Sequence, residues 1–297
     1  MIRLLHAGHR LIIWVIRHSP ILSSFLFRAY NKVLTRLRDD YTGRTYFGST
    51  LNCSLVDSVQ RHIFHFGHWE PNNSALLSSI LRPGDVFVDL GANIGYYTLL
   101  ASSRVGEGGS VIAVEALPQI FELLKKNVVA NGLRNVRLVN VAVAGEAGEL
   151  PIYGAGPENR GMSSSVPHDD WPIEAVVPAA PLDEILTPEE RARVKVIKID
   201  IEGGELVVLE RLVETLGLYP HDVQLLVELA PYITGEPLVV TFDKLLASGF
   251  DAYEIENSYD LEWYLKWRHP SPPRRVDRLP VHQGDVLFSR SPSGPVV

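Results

Sequence analysis

The stretch VFVDLGANIGYYT, Val86 to Thr98, decides the fold. A short apolar run containing one acid reaches two glycines set around an asparagine, and an apolar segment resumes at once. That order reads as strand, tight turn, helix. The runs DVFVDL, SVIAVE, VRLVN, VKVIKID, VQLLVEL and FDAYEI repeat the strand signal from Gly84 onward. They are almost wholly apolar, as strands covered on both faces must be. Between them, LPQIFELLKKNVVANG, GELVVLERLVETLG and PLVVTFDKLLASG carry apolar residues at helical spacing and stop at Gly132, Gly217 and Gly249. Strand, helix and strand in series imply a doubly wound, Rossmann-like α/β sheet with right-handed crossovers. It is expected to be mostly parallel, with GDVLFSR as a last, antiparallel strand.

Two segments break the rhythm. Residues 144–193 are rich in Gly, Pro and Ser, with short strands expected at ELPIYG and EAVVPA. Residues 257–283 hold Trp263, Tyr264, Trp267 and His269 before HPSPPRRVDR. Long loops in a compact domain are usually functional or disordered. Both are expected on the acceptor side of an active site.

The 297 residues are 46% hydrophobic and 21% charged, an ordinary globular balance. One cysteine, Cys53, rules out an internal disulfide and suits a reducing, cytoplasmic compartment. Residues 1–38 carry seven Lys or Arg and no acid, whereas the remainder holds 21 basic and 35 acidic side chains. An acidic body argues against nucleic acid as partner, because phosphate binding needs a basic face. Residues 1–40 are therefore set apart as a basic helical extension of the main domain over 41–297. Ser19-Pro20 reads as a helix start, and from Leu22 to Leu37 apolar residues recur at helical spacing. Two helices packing on the domain are expected, or a peripheral contact of residues 1–38 with the inner face of an anionic membrane.

The turn Gly91-Ala92-Asn93-Ile94-Gly95 lies where open α/β sheets bind ligands, beyond the carboxyl ends of their strands. A dinucleotide's pyrophosphate wants a bare helix N-terminus, yet Asp89 stands two residues before Gly91. An acid there suits a ligand with a cationic end, and S-adenosylmethionine is one. Glu115 closes the second strand and suits a ribose diol. KIDIEGGE (Lys198 to Glu205) adds Asp200, Glu202 and Glu205 at the fourth strand tip, and LLVELAP adds Glu228 at the fifth. His62, His65 and His68 are spaced by three, but Gly67 interrupts them, so packing histidines are expected; His68 is held as an alternative base.

With these motifs the chain resembles the FkbM-type family of S-adenosylmethionine-dependent methyltransferases. The resemblance spans about residues 67–255 and rests on GHWEP, LRPGDVFVDLGANIGYYTLLAS, NVVANGLRNV, NVAVAG, PLDEIL and KIDIEGGE. Ala116 stands where the family usually has proline. The resemblance implies a class I methyltransferase fold and S-adenosylmethionine as cofactor, with Glu70, Asp89, Gly91, Asn93, Gly95, Glu115 and Asn140 around it. It also implies O-methylation of a small-molecule or glycan acceptor: a sugar, glycolipid or polyketide-type hydroxyl.

An alcohol attacks well only as its proton leaves, so a general base is expected. Asp200, Glu202 and Glu228 are the catalytic candidates, with Asp200 as base or orienting group. No metal is assigned; a divalent ion shared by Asp200 and Glu228 is the less favoured route. A nicotinamide-dependent oxidoreductase and a non-catalytic cofactor-binding scaffold are the alternative functions.

Overall fold

The computed structural model describes residues 9, 12–16, 23–37, 40–154, 156, 163–167, 170–291 and 294–295. Ser19-Pro20 lies outside them. Residues 12–16 are helical, and α1 (Ser23–Leu37) follows. A hairpin of β1 (Asp40–Arg44) and β2 (Thr50–Ser54) leads to α2 (Ser58–Phe66) and α3 (Pro71–Ile80). The sheet core runs β3 (Val86–Leu90), α4 (Tyr96–Val105), β4 (Ser110–Val114), α5 (Pro118–Ala130) and β5 (Val136–Val139). After β6 (Ala142–Val143), β7 (Gly148–Tyr153) and β8 (Ile173–Ala180) come β9 (Val194–Ile199), α6 (Glu205–Thr215), β10 (Gln224–Leu229) and α7 (Glu236–Ala247). The chain closes through β11 (Asp251–Ile255), α8 (Leu261–Lys266), β12 (Arg274–Val276) and β13 (Gly284–Ser289).

Eight strands form the main sheet in the order β12-β11-β13-β10-β9-β3-β4-β5. Strands β10, β9, β3, β4 and β5 are parallel, and β13 inserts antiparallel between β10 and β11. The expected class I sheet with its antiparallel last strand is what forms. The strand order reverses between β3 and β9, and that switch point opens the crevice.

Successive side chains on a strand face opposite ways. Phe87, Val111, Val196, Leu226 and Leu287 enter one core with residues of α3, α4 and α5. Val88, Ile112, Ile197, Val227 and Phe288 enter the other with residues of α6 and α7. Both faces are dry, which is why these strands read as unbroken apolar runs. Burying each such side chain is worth roughly 1.5–3 kcal/mol.

Three features depart from the sequence reading. The β1–β2 hairpin was not foreseen, because DYTGR and TLNCS carry too little apolar pattern. Residues 257–283 contain α8 and the edge strand β12 rather than loop throughout. The strands expected at ELPIYG and EAVVPA form as β7 and β8, but they join β6 in a separate three-stranded sheet, β6-β8-β7, that was not foreseen. The helical segments before β1 pack on the body: Ile13, Ile16 and Phe27 share a buried cluster with Leu265 of α8.

Candidate active site

The β3–α4 turn is shaped by close approach. Gly91 has φ +76°, and a Cβ there would stand 1.7 Å from the Asp200 carbonyl oxygen. Gly95, at φ +98°, would meet Leu124 of α5 at 2.7 Å. Asn127 of α5, which no sequence argument singled out, is wholly buried and donates to the Ile94 carbonyl at 2.8 Å. Its Oδ1 accepts from Asn52 of β2, so one amide ties hairpin, helix and turn together.

The amides of the turn are spent internally. Gly91 and Ala92 donate to the Val114 carbonyl, and Asn93 to Glu115 Oε2 at 2.9 Å. Ile94 donates to Asn93 Oδ1, and Gly95 to the Ala92 carbonyl. None of these five is left for a pyrophosphate, which argues against a nicotinamide dinucleotide here.

Two cavities meet at this turn. The smaller, about 60 Å³, lies between Glu115, Leu117 and Ile120 on one side and Leu150, Ile152 and Ser165 on the other. The larger, about 280 Å³, runs under Trp69, Tyr97 and Tyr259 to Glu70, Glu228 and Gln283. Gly91, Asn93, Asp200 and Glu202 line both. Of the segment 144–193, Leu150, Ile152, Ser163 and Ser165 line the smaller cavity with Glu115, and no described residue of it lines the larger.

Glu115 accepts from Asn93 and Leu117 amides through separate oxygens, leaving further lone pairs facing the smaller cavity. Burial raises its pKa to about 7, against the pull of those two amides. Asp200 accepts from the buried Lys198 ammonium at 2.7 Å. Burial alone would lower the pKa of Lys198, but Asp200, Asp89 and Glu70 outweigh it and raise it. Lys198 also sits over the Tyr97 ring, 4.8 Å from its centroid.

Asp200, Glu202 and Glu228 each bring one oxygen within 4.8 Å of the others, so three strand and turn ends converge as expected. Burial first, then Asp200 and Glu205, raises Glu202 to about 8. Glu228 is held well above the usual carboxylate range by burial and by Asp200 and Asp285. It accepts from Tyr259 at 3.0 Å and Gln283 at 2.9 Å. Glu205 braces the turn instead, accepting from the amides of Ile201 and Gly203.

Glu70 is 3% exposed and accepts from Tyr97 at 2.6 Å, Tyr259 at 3.2 Å and Asn73 at 3.1 Å. Its amide donates to Tyr264 Oη. It lines the larger cavity rather than capping α3. Among the described residues the non-glycine positions with positive φ are Glu70, Asn93 and Glu202. All three line the larger cavity. Such strain costs roughly 1–3 kcal/mol each and gathers at functional sites.

Two expected cofactor contacts are not made at a cavity wall. Asp89 is fully buried under the turn: one oxygen accepts from Thr98 at 2.6 Å and the other has no hydrogen-bond partner. Its strand position turns it inward beneath Gly91, and it lines neither cavity. Asn140 spends its amide on the Glu115 and Ala116 carbonyls, bracing the β4 exit. His62 and His65 are buried packing residues bonded to Ser58 and Asn31. His68 stacks on Tyr46, outside both cavities, so it is no base for this site.

The sequence reading missed Tyr97, Lys198, Tyr259, Gln283 and Asp285. Lys198 stood inside a motif chosen for its acids. Tyr259 and Gln283 lie in the irregular segment, where no periodicity marks a direction. Of the aromatic residues in that segment, Tyr264 is buried and Trp267 donates to Asn72, and neither lines these two cavities.

The family model described as Methyltransferase FkbM domain matches residues 89–246. The chain belongs to the FkbM methyltransferase family. S-adenosylmethionine is thus its methyl donor, and the residues fit that group. The cleft is acidic, its one lysine is already paired, and Glu115 has lone pairs left for a diol. The chain is 26% identical over 200 residues to protein-L-isoaspartate O-methyltransferase 2 of Archaeoglobus fulgidus, covering 66% of this chain and 80% of that one. It is 27% identical over 177 residues to the arsenite methyltransferase of Halobacterium salinarum, covering 59% of this chain and 39% of that one. A methyltransferase FkbM structure from Methylobacillus flagellatus KT aligns with TM-score 0.44 at 15% identity, over 78% of this chain and 52% of that one.

Proposed function

We propose that the chain methylates a hydroxyl oxygen of a small sugar, glycolipid or polyketide-type acceptor. One observation carries the reading: Asp200, Glu202 and Glu228 converge where the two cavities join. The smaller cavity marks the floor of the nucleoside site, which continues outside it, with Glu115 on the ribose diol and Leu117, Ile120, Leu150 and Ile152 beside the base. The larger takes the acceptor, between the stacked rings of Trp69 and Tyr259 and the polar edge of Glu228 and Gln283. Aromatic faces opposite carboxylates suit a neutral, hydroxyl-rich molecule and repel an anionic one.

When bound, the cofactor supplies an electrophilic methyl on a cationic sulfur. The protein's work is positioning and proton removal. Asp200, fixed by Lys198, orients the acceptor hydroxyl. Glu202, whose pKa of about 8 is far above an ordinary carboxylate, receives the proton. Glu228 is held by Tyr259 and Gln283 and shapes the acceptor end.

Transfer of labelled methyl into a lysate of the source organism, followed by identification of the product, tests this. An ether-linked methyl, stable to mild alkali, is expected. A base-labile methyl ester, as on a protein carboxyl, would replace the reading.

A second reading rests on the ligand count: Asp200, Glu202 and Glu228 are the one group of three metal-ligating side chains among the described residues. A divalent ion there would lower the pKa of the acceptor hydroxyl. The Lys198 pairing already occupies an Asp200 oxygen, so full activity after exhaustive EDTA treatment is expected. Activity lost with chelator and restored by Mg²⁺ would favour the metal.

A further inference from the structure

The helices before β1 present two different faces. In α1, Phe27, Tyr30, Asn31 and Leu34 turn toward the body, spaced as one stripe of a helix with about 100° per residue. Phe27 is buried with Ile13, Ile16 and Leu265, and Asn31 Oδ1 bonds His65 of α2 at 2.9 Å. The opposite arc is Phe25, Leu26, Ala29 and Val33, all exposed, with Arg28 and Lys32 exposed along its edge and Arg36 exposed within it, one turn beyond Val33. Phe25 is 71% and Val33 56% exposed. On residues 12–16, Ile13 and Ile16 are buried while Trp14 is 57% and Val15 47% exposed.

An ordinary packing helix hides its apolar side and shows its polar one. Here one apolar stripe is already used on the body, and a second is left facing water beside a row of cations. Arg28, Lys32 and Arg36 belong to the seven basic residues of 1–38, a stretch without a single acid, on a chain whose remainder is acidic. The apolar arc supplies burial in a lipid surface, and the cations supply attraction to anionic headgroups. No helix among the described residues is long and apolar enough to span a membrane.

We propose that the exposed arc Phe25–Leu26–Ala29–Val33, with Trp14 and Val15, docks this protein on an anionic membrane surface, with Arg28, Lys32 and Arg36 at the headgroups. The face is anchored to the cavity wall. Leu265 shares the buried cluster with Ile13 and Phe27, and its neighbour Tyr264 accepts from the Glu70 amide. Docking would therefore present the larger cavity at a fixed height above the lipid. The proposal is independent of which acceptor is methylated.

The test uses the full chain and vesicles of phosphatidylcholine, alone or mixed with phosphatidylglycerol. The protein is expected to sediment with the mixed vesicles and to be released by salt. Arg28→Gln/Lys32→Gln/Arg36→Gln together should weaken that partition about a hundredfold. Phe25→Ser/Val33→Ser should abolish it, with S-adenosylmethionine binding unchanged as the check on folding. Hydrogen exchange of the unmodified protein gives a second readout, with protection of 23–37 expected only on the mixed vesicles. Equal partition to both vesicle types, no protection of α1, or a dimer in sedimentation equilibrium that Phe25→Ser/Val33→Ser dissolves would overturn the proposal.

Discussion

Lys198 Nζ lies 2.7 Å from Asp200 Oδ2, and among the described residues it is the one cation lining the larger, acid-walled cavity. Strand β9 carries Lys198 and ends one residue before Asp200, and its register with β3 sets Lys198 beside the buried Asp89. The pair is what lets several carboxylates share this space. Replacing Lys198 by Met would strand Asp200, Asp89 and Glu70 without a counter-charge. Removing one partner of a buried pair costs about 3–5 kcal/mol, so a loss of that size is expected in urea denaturation. A loss under about 1 kcal/mol would mean the pair behaves like a surface one.

Gly91→Ala tests the close approach of β3 to β9. The added methyl meets the Asp200 backbone rather than a side chain that can swing away, at a φ that disfavours alanine. About 4 kcal/mol or more should be lost, with S-adenosylmethionine binding abolished. Near-wild-type affinity by calorimetry would show that the turn relaxes freely.

Glu115→Gln tests the diol contact. One charged acceptor is removed where two backbone amides and a ribose compete for it. Hydrogen bonds to a charged group are worth about 1.5–3 kcal/mol, so the KM for S-adenosylmethionine should rise roughly ten- to hundredfold. The KM for the acceptor should hold. Equal rises in both would place Glu115 outside the cofactor site.

The carboxylates also set a pH dependence. Glu115 and Glu205 titrate at about 7 and Glu202 at about 8 in the folded chain, above the 4.5 of the unfolded one. A raised pKa favours the fold while the group is protonated, and that advantage is lost as pH rises through the folded value. The buried His62 and His65 have lowered pKa values and act oppositely, chiefly below pH 6.5. The melting temperature of the cofactor-free protein should therefore fall from about pH 6.5 to 8. A cationic ligand favours ionised carboxylates, so binding at neutral pH should release protons, measurable by calorimetry in buffers of different ionisation enthalpy. A rising melting temperature, or proton uptake on binding, would contradict the assignment.

Much of the site was legible because local sequence rules govern it. GANIG needs glycine at two positive φ positions, and acids at strand ends of one parallel sheet must point to one rim. Asp200, Glu202, Glu228 and Glu115 were found that way. Asp89 and Asn140 were named with them but line neither cavity: Asp89 is buried beneath the turn against Thr98, and the Asn140 amide is taken by the Glu115 and Ala116 carbonyls.

By itself the sequence determined the doubly wound sheet, its antiparallel closing strand and the rim of carboxylates, since periodicity, glycine stops and apolar runs act over a few residues. Only the tertiary structure decided which groups meet those acids. Tyr97, Tyr259 and Gln283 reach Glu70 and Glu228 from elements 27 to 189 residues away in the chain. Such meetings follow from how helices and loops settle on the sheet, and no local pattern of residues encodes them. The same holds for α1: its spacing shows a helix, but only its seating on Leu265 and His65 shows which side remains outside.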